Sequence, residues 1–303
     1  MWYICLFASF ILTPLLPGLI NKTKAFFAGR QGPPVLQLYA DIAKLLRKGT
    51  VRSNTSTIIL RLAPSVSLAS LFLAALFMPF GISPSPLAFE GDVILFFYIL
   101  GAGRLATVLG ALDTGSAFEG MGASREVQFS AMAEAVTFAI LGFLALLTGH
   151  LSLSGTLTGF DLTAWTHTGT SMALVVIAFF VVLMSENCRV PFDDPETHLE
   201  LTMIHEAMIL DNSGPDLAFI LYGAALKLWI LASFMVLQIL PFEPIASGGQ
   251  ITAYFAGVFL TAVIIGIVES VMARFRFLKV PQLFVGALAL ALVAILLFTF
   301  FKA

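Results

Sequence analysis

Apolar runs long enough to cross a bilayer recur about eight times along this chain of 303 residues, which leaves few folds open to it. A helix rises 1.5 Å per residue, so about 20 apolar residues span the hydrocarbon core. The runs cover residues 2–20, 58–80, 93–112, 127–147, 172–186, 217–240, 251–272 and 283–301. Only 11% of the chain is charged, against about 25% in an ordinary soluble domain. The expected fold is therefore all-α: a polytopic membrane protein, with residues 1–303 forming one integral membrane domain. The first run has no basic residue ahead of it and no small-residue cleavage site behind it, so it reads as a retained helix and not a signal peptide.

Basic residues in short loops mark the cytoplasmic side. The segment after the first run carries Lys22, Lys24, Arg30, Lys44, Arg47, Lys48 and Arg52. Arg125, Arg189, Arg274, Arg276 and Lys279 fall on the same side by alternation, and the loops of opposite sidedness carry none. An even number of crossings with both termini on the non-cytoplasmic side accounts for this pattern. Within the first basic segment, Val35, Leu38, Tyr39, Ile42 and Leu46 share one helical face, with Gln37, Asp41, Lys44 and Arg47 opposite. That pattern predicts an amphipathic helix along the membrane surface. RQGPP just before it turns the chain out of the first span.

Ionisable groups inside spans cost about 2.5–3.5 kcal/mol each on insertion scales, and they usually mark a pathway or a pair. Glu134 lies about a third of the way into the fourth run, Lys227 near the middle of the sixth, Glu269 near the end of the seventh and Arg104 inside the third. For Arg104 and Glu269 snorkelling to the headgroups is the favoured reading. For Glu134 and Lys227 a functional polar path is favoured over a structural ion pair. The stretch 187–214, between two apolar runs, adds Asp193, Asp194, Glu196, Glu200, Glu206 and Asp211 with His198 and His205. Asp194 suits an N-cap, Pro195 the first helical position and Glu196 the positive helix start. Glu196 and Glu200 then share a face four residues apart, and clustered carboxylates beside histidine can titrate toward neutrality, as a proton relay requires. A solvated acidic loop is the rival reading.

Other chemistries find little support. HExxH is absent, and the His205–Glu206 pair lacks a second histidine four residues on, so no metal site is expected. Cys5 and Cys188 form no CxxC, so this chain holds no iron–sulfur cluster of its own. GAGRLA at 101–106 fits a dinucleotide fingerprint but lies inside an apolar run instead of at a strand-to-helix turn. No basic patch with interleaved aromatics points to nucleic acid.

Several segments, in order, resemble the complex I subunit 1 superfamily of NADH dehydrogenase membrane subunits, in its group 4 energy-converting NiFe-hydrogenase and formate hydrogenlyase branch. RQGPPVLQLYADIAKLL is similar to the family's R-x-GP-x-VLQ-x-Y-x-DI-x-KLL, and LRLAP at 60–64 to the start of its second span. LDTGSAFEGMGASRE at 112–126 resembles the hydrogenase-type LDTGS and GASRE pair. VPFDDPETHLE resembles its acidic PFD loop, LKL at 226–228 its sixth-span lysine, and ESVMARFRF at 269–277 its last cytoplasmic loop. Two positions depart: His198 stands where the family usually has a second glutamate, and the 200–211 segment is about three residues longer.

The resemblance implies a non-catalytic membrane subunit of an oxidoreductase complex in the inner (cytoplasmic) membrane. It would dock a hydrophilic redox arm and couple electron transfer to proton or sodium translocation. Implied partners are hydrogenase-like large and small subunits, iron–sulfur subunits and antiporter-like membrane subunits, besides the lipid bilayer. The NiFe centre and iron–sulfur clusters would lie in those partners, none in this chain, and quinone is an additional candidate ligand. By matching position, Glu134, Asp193, Glu196, Glu200 and Asp211 fall on the family's proton route, to which the residue reading adds Glu206, Lys227 and Glu269. Arg30, Gly32, Pro33, Arg125, Arg189, Arg274 and Arg276 fall on the loops that would receive the arm. The alternatives are a quinone-site subunit of a respiratory complex I-like enzyme or a stand-alone ion transporter, the latter disfavoured by the lack of an internal repeat.

Overall fold

The computed structural model describes residues 1–53, 55–81, 83–158, 162–193, 203–240 and 247–302. Helix dominates throughout, as a chain without bulk water to satisfy its backbone demands. The first apolar run forms two helices, α1 (Trp2–Leu12) and α2 (Leu15–Phe27), which meet at 49° and count as one span only if taken together. Pro14 sits at the break. It has no N–H for the carbonyl of Phe10, and the turn that follows also leaves the Ile11 carbonyl free of a helical partner. Two tyrosines replace the missing donors: the Tyr222 hydroxyl donates to the Phe10 carbonyl at 3.0 Å, and the Tyr39 hydroxyl donates to the Ile11 carbonyl.

Tyr39 belongs to α3 (Gln37–Leu46), the expected amphipathic helix. Leu38, Tyr39, Ile42 and Leu45 are its partly buried apolar residues. Leu46, assigned to that face from sequence, is instead 50% exposed, while Leu45 beside it is partly buried. A Cβ on Gly18 of α2 would fall 2.2 Å from the Val35 carbonyl oxygen, so a glycine is what allows the approach to α3 to be this close.

α4 (Ile58–Phe77) and α5 (Asp92–Asp113) form a tight pair, with Gly103 so close to Ser70 that a Cβ would lie 2.1 Å from its hydroxyl. The LDTGS segment finishes this pair. Asp113 accepts from the Thr57 backbone N–H at 2.7 Å, the Thr57 hydroxyl at 2.6 Å and the Leu60 N–H at 3.1 Å, capping the N-terminus of α4. Gly115, at φ 69°, then turns the chain into α6 (Ala117–Thr148).

α6 has 32 residues and begins ten residues before the apolar run that predicted it, so Arg125 lies within a helix and not in a loop. The short α7 (Leu153–Thr158) leads to α8 (Leu162–Glu186), and the short α9 (His205–Met208) follows the acidic stretch. α10 (Gly214–Ile239) is the axis of the bundle, with 78% of its most apolar window buried. α11 (Ser247–Val271) packs on α2 and α10, and α12 (Val280–Lys302), entered through a 3-10 turn at Phe277–Lys279, packs on α6 and α8. Among the described residues, seven single helices are long and apolar enough to cross a membrane, and the bent pair α1–α2, taken as one span, makes eight, in line with the sequence reading.

Candidate functional site

Four helices each bring a charged side chain to one place inside the bundle. Arg104 of α5 donates through Nη1 to Glu186 Oε1 at 2.7 Å and through Nη2 to Glu134 Oε1 of α6 at 2.5 Å. Lys227 of α10 lies 2.8 Å from the other Glu186 oxygen. The result is an alternating chain of charges, Glu134–Arg104–Glu186–Lys227, in which the side chains of Arg104, Glu186 and Lys227 are 14 to 17% exposed. Glu186 is the last residue of α8, yet it meets residues near the middle of α5 and α10, because α8 stops partway into the bundle.

These positions revise the sequence reading. Arg104 does not snorkel; burial between two carboxylates gives its guanidinium a better partner than a headgroup. Glu134 is less buried than expected, with its side chain 56% exposed on a groove between α5 and α6. Lys227 pairs with Glu186 and not with Glu134. Glu269, also expected to snorkel, is fully buried, 3.2 Å from Lys24 Nζ and 3.6 Å from Arg189 Nη1.

Two cavities flank the charge chain. The larger, of about 510 Å³, is the open groove that carries Glu134 and Arg104 among apolar walls such as Phe97, Tyr98 and Phe138. The smaller, of about 10 Å³, lies on the side facing the acidic stretch and is lined by Glu126, Ser185 and Cys188. Ser130 and Glu186 line both, so they form the wall between them. Glu126 is buried, and its carboxyl accepts from the Cys188 thiol at 3.6 Å.

The described part of the acidic stretch is organised by Asp193. Its side chain is 2% exposed and accepts from the backbone N–H of Ile204 at 3.0 Å and of His205 at 3.2 Å, while Arg274 donates to its other oxygen at 3.0 Å. Asp193 thus ties the end of the α8 loop, the start of α9 and the α11–α12 connection to one carboxylate. Arg125 supports the same knot: it donates to the Met203 carbonyl at 2.9 Å and lies 4.6 Å over the Phe277 ring. His205 Nε2 is sealed from solvent with no hydrogen-bond partner among the described residues, and burial, with Lys227 and Arg189 adding to it, pushes its pKa down to about 4. Glu206 is half-buried in α9 and Asp211 is exposed beyond it, its N–H donated to the buried Glu119 carboxyl at 3.0 Å. The expected helix start at 194–196, with Glu196, His198 and Glu200, lies outside the described residues.

Among the residues expected to receive the arm, Arg125, Arg189 and Arg274 are engaged within the chain, while Arg30, Pro33 and Arg276 are exposed and Gly32 is half-buried. Reasoning from sequence missed Glu119, Glu126 and Glu186. A signal was present: Glu119, Glu126, Ser130 and Thr137, at i, i+7, i+11 and i+18, make one polar stripe on a helix. Among the described residues, no group of three or more potential ligands is placed to hold a metal ion.

A profile of the family described as NADH dehydrogenase matches residues 1–300. The chain belongs to this family, the complex I subunit 1 superfamily. Its place in the superfamily's energy-converting hydrogenase branch follows from two relatives in Escherichia coli (strain K12). Hydrogenase-4 component C is 33% identical over 279 residues, covering 89% of this chain and 86% of the relative. Formate hydrogenlyase subunit 4 is 31% identical over 264 residues, covering 87% and 82%. The fold of this superfamily member also matches a chain of the membrane-bound sulfane sulfur reductase, an archaeal respiratory membrane complex, with a TM-score of 0.84 over 97% of both chains at 18% identity.

Proposed function

We propose that this chain is the non-catalytic membrane subunit of a multisubunit, hydrogenase-type oxidoreductase in the cytoplasmic membrane. The loops at the N-terminal end of α6 receive the redox arm, whose subunits hold the iron–sulfur clusters and a NiFe centre. Antiporter-like membrane subunits complete the ion path. The observation that carries this reading is the Glu134–Arg104–Glu186–Lys227 chain within the spans. Its members are mutually compensated, so a proton or sodium ion arriving at one end changes the balance at the next. His205, whose N–H Asp193 accepts, lies within the electrostatic reach of Lys227 and so links the acidic stretch to that chain, and Glu134 opens onto a groove available to a neighbouring membrane subunit. One charge crossing the membrane exchanges about 2.3 kcal/mol per 100 mV, within reach of a modest redox step.

Purification from membranes in mild detergent through a tag on this chain, with subunit composition and nickel and iron measured on the eluate, tests the partnership. Nickel with iron–sulfur iron is expected; a lone chain in well-solubilised material refutes it. For the coupling role, Glu134→Gln is expected to assemble normally, because Arg104 keeps Glu186 at 2.7 Å, and to lose ion movement. Ion pumping at the wild-type rate by the assembled variant would sink that role.

A further inference from the structure

The small cavity between α6 and the end of α8 supports a step that the charge chain alone does not provide. The geometry points to Glu126 as an additional proton-carrying residue, linked to Glu186 by a single water held in the cavity of about 10 Å³ that both carboxyls line. This inference rests on the coupling function proposed above and names a residue within it.

Three observations carry it. First, the cavity is at the lower limit of what holds one water, and its largely apolar wall, with Phe129, Phe192 and Ile204, is broken by the side chains a water needs as partners: Glu126, Ser130, Ser185 and Glu186. Second, Glu126 is nine-tenths buried, has no cation within ion-pair distance among the described residues, and meets only the weakly donating Cys188 thiol. Counting charges, Arg104 and Lys227 face three carboxyls, Glu126, Glu134 and Glu186, and Glu126 is the one left over. A buried carboxyl without a counter-charge is stable in this setting with its own proton. Third, the cavity and the groove share Ser130 and Glu186, so a proton reaching Glu186 lies at the wall of the space onto which Glu134 opens.

The step balances without any co-reactant. Glu126 gives its proton to the water, which passes one of its own to Glu186, leaving Glu126 as a carboxylate and Glu186 as a neutral acid. Neutral Glu186 no longer compensates Lys227, so the displaced balance moves to the rest of the charge chain. A proton from the acidic stretch restores Glu126.

The tagged complex is prepared as wild type, Glu126→Gln and Glu126→Asp. Infrared difference spectra on exchange from H2O to D2O are recorded, and ion movement driven by reduced methyl viologen is followed in vesicles. A protonated-carboxyl band that vanishes in Glu126→Gln and shifts in Glu126→Asp is expected. With it goes a loss of ion movement of about 100-fold or more in Glu126→Gln, on the scale of a removed general acid. A wild-type spectrum unchanged by either substitution, or Glu126→Gln vesicles that build the full gradient, overturns the inference. If Glu126→Gln fails to assemble, the band shift in Glu126→Asp decides it. Wild-type vesicles that turn over without any gradient would instead remove the coupling function itself, and the role of Glu126 with it.

Discussion

Replacing Glu186 with glutamine keeps its size and removes the one negative charge that touches both Arg104, at 2.7 Å, and Lys227, at 2.8 Å. The two cations do not suffer equally. Arg104 retains Glu134 at 2.5 Å, whereas Lys227, 17% exposed, keeps no other carboxylate within ion-pair distance among the described residues. Breaking a buried pair by removing one partner costs about 3–5 kcal/mol, because the other charge stays buried and uncompensated. With Arg104 spared, a loss of about 3 kcal/mol is expected, roughly 100-fold in the folded fraction and about 6 °C in Tm for a chain of this size. Thermal unfolding of the purified complex in mild detergent reads it out. The double variant Glu186→Gln/Lys227→Met separates the stranded charge from a simple packing change. If the ammonium is the cause, the double variant regains most of the lost stability. A single-variant loss below about 1 kcal/mol, or a double variant no more stable than the single, would refute the argument.

Asp193→Ala frees the N–H groups of Ile204 and His205 and leaves Arg274 without its carboxylate; a loss of about 3 kcal/mol and faster protease cleavage between residues 203 and 213 are expected. His205 gives a pH dependence of defined sign. Its folded pKa of about 4 lies below its value in the unfolded chain, about 6.5, so the unfolded state binds more protons between the two. Its contribution to stability is therefore complete above about pH 6.5 and is lost as pH falls toward 4, by up to about 3 kcal/mol; a His205→Gln variant should show a flatter Tm profile from pH 7 to 5. Tyr222→Phe removes the donor to the Phe10 carbonyl and should lower stability by about 1 kcal/mol, measured by the same unfolding assay, with ion movement unchanged.

The spans were legible because an apolar run of bilayer length has essentially one structural solution. The ends were not. α6 starts ten residues early because AFEGMGASRE is held in helix by its packing under α9, where a Cβ on Gly122 would meet the Ile204 carbonyl at 2.8 Å. An apolar count stops at the first polar residue and cannot register such support, so Glu119 and Glu126 looked like loop residues. Glu186 was overlooked for a related reason. As the last residue of an apolar run it resembles an interfacial charge, and only the depth at which α8 stops places it between Arg104 and Lys227. The break in the first span was signalled by Pro14, but the donors that make it tolerable come from Tyr39 and Tyr222, distant in sequence and reached only through packing.

α6 is also a mechanical object. Its 32 residues make a continuous rod of about 48 Å, well beyond the thickness of a hydrocarbon core of about 30 Å. Arg125, stacked on Phe277 near one end, and Glu134, paired with Arg104, are nine residues or about 14 Å apart on the same rod. A hydrogen-bonded helix neither stretches nor stores slack over that length, so an axial slide imposed near Arg125 arrives at Glu134 undiminished. A slide of one residue's rise, about 1.5 Å, is comparable to the margin between the present 2.5 Å contact with Arg104 and the limit of an ion pair. The stiffness of one helix thus sets the stroke over which that pair can be made or broken.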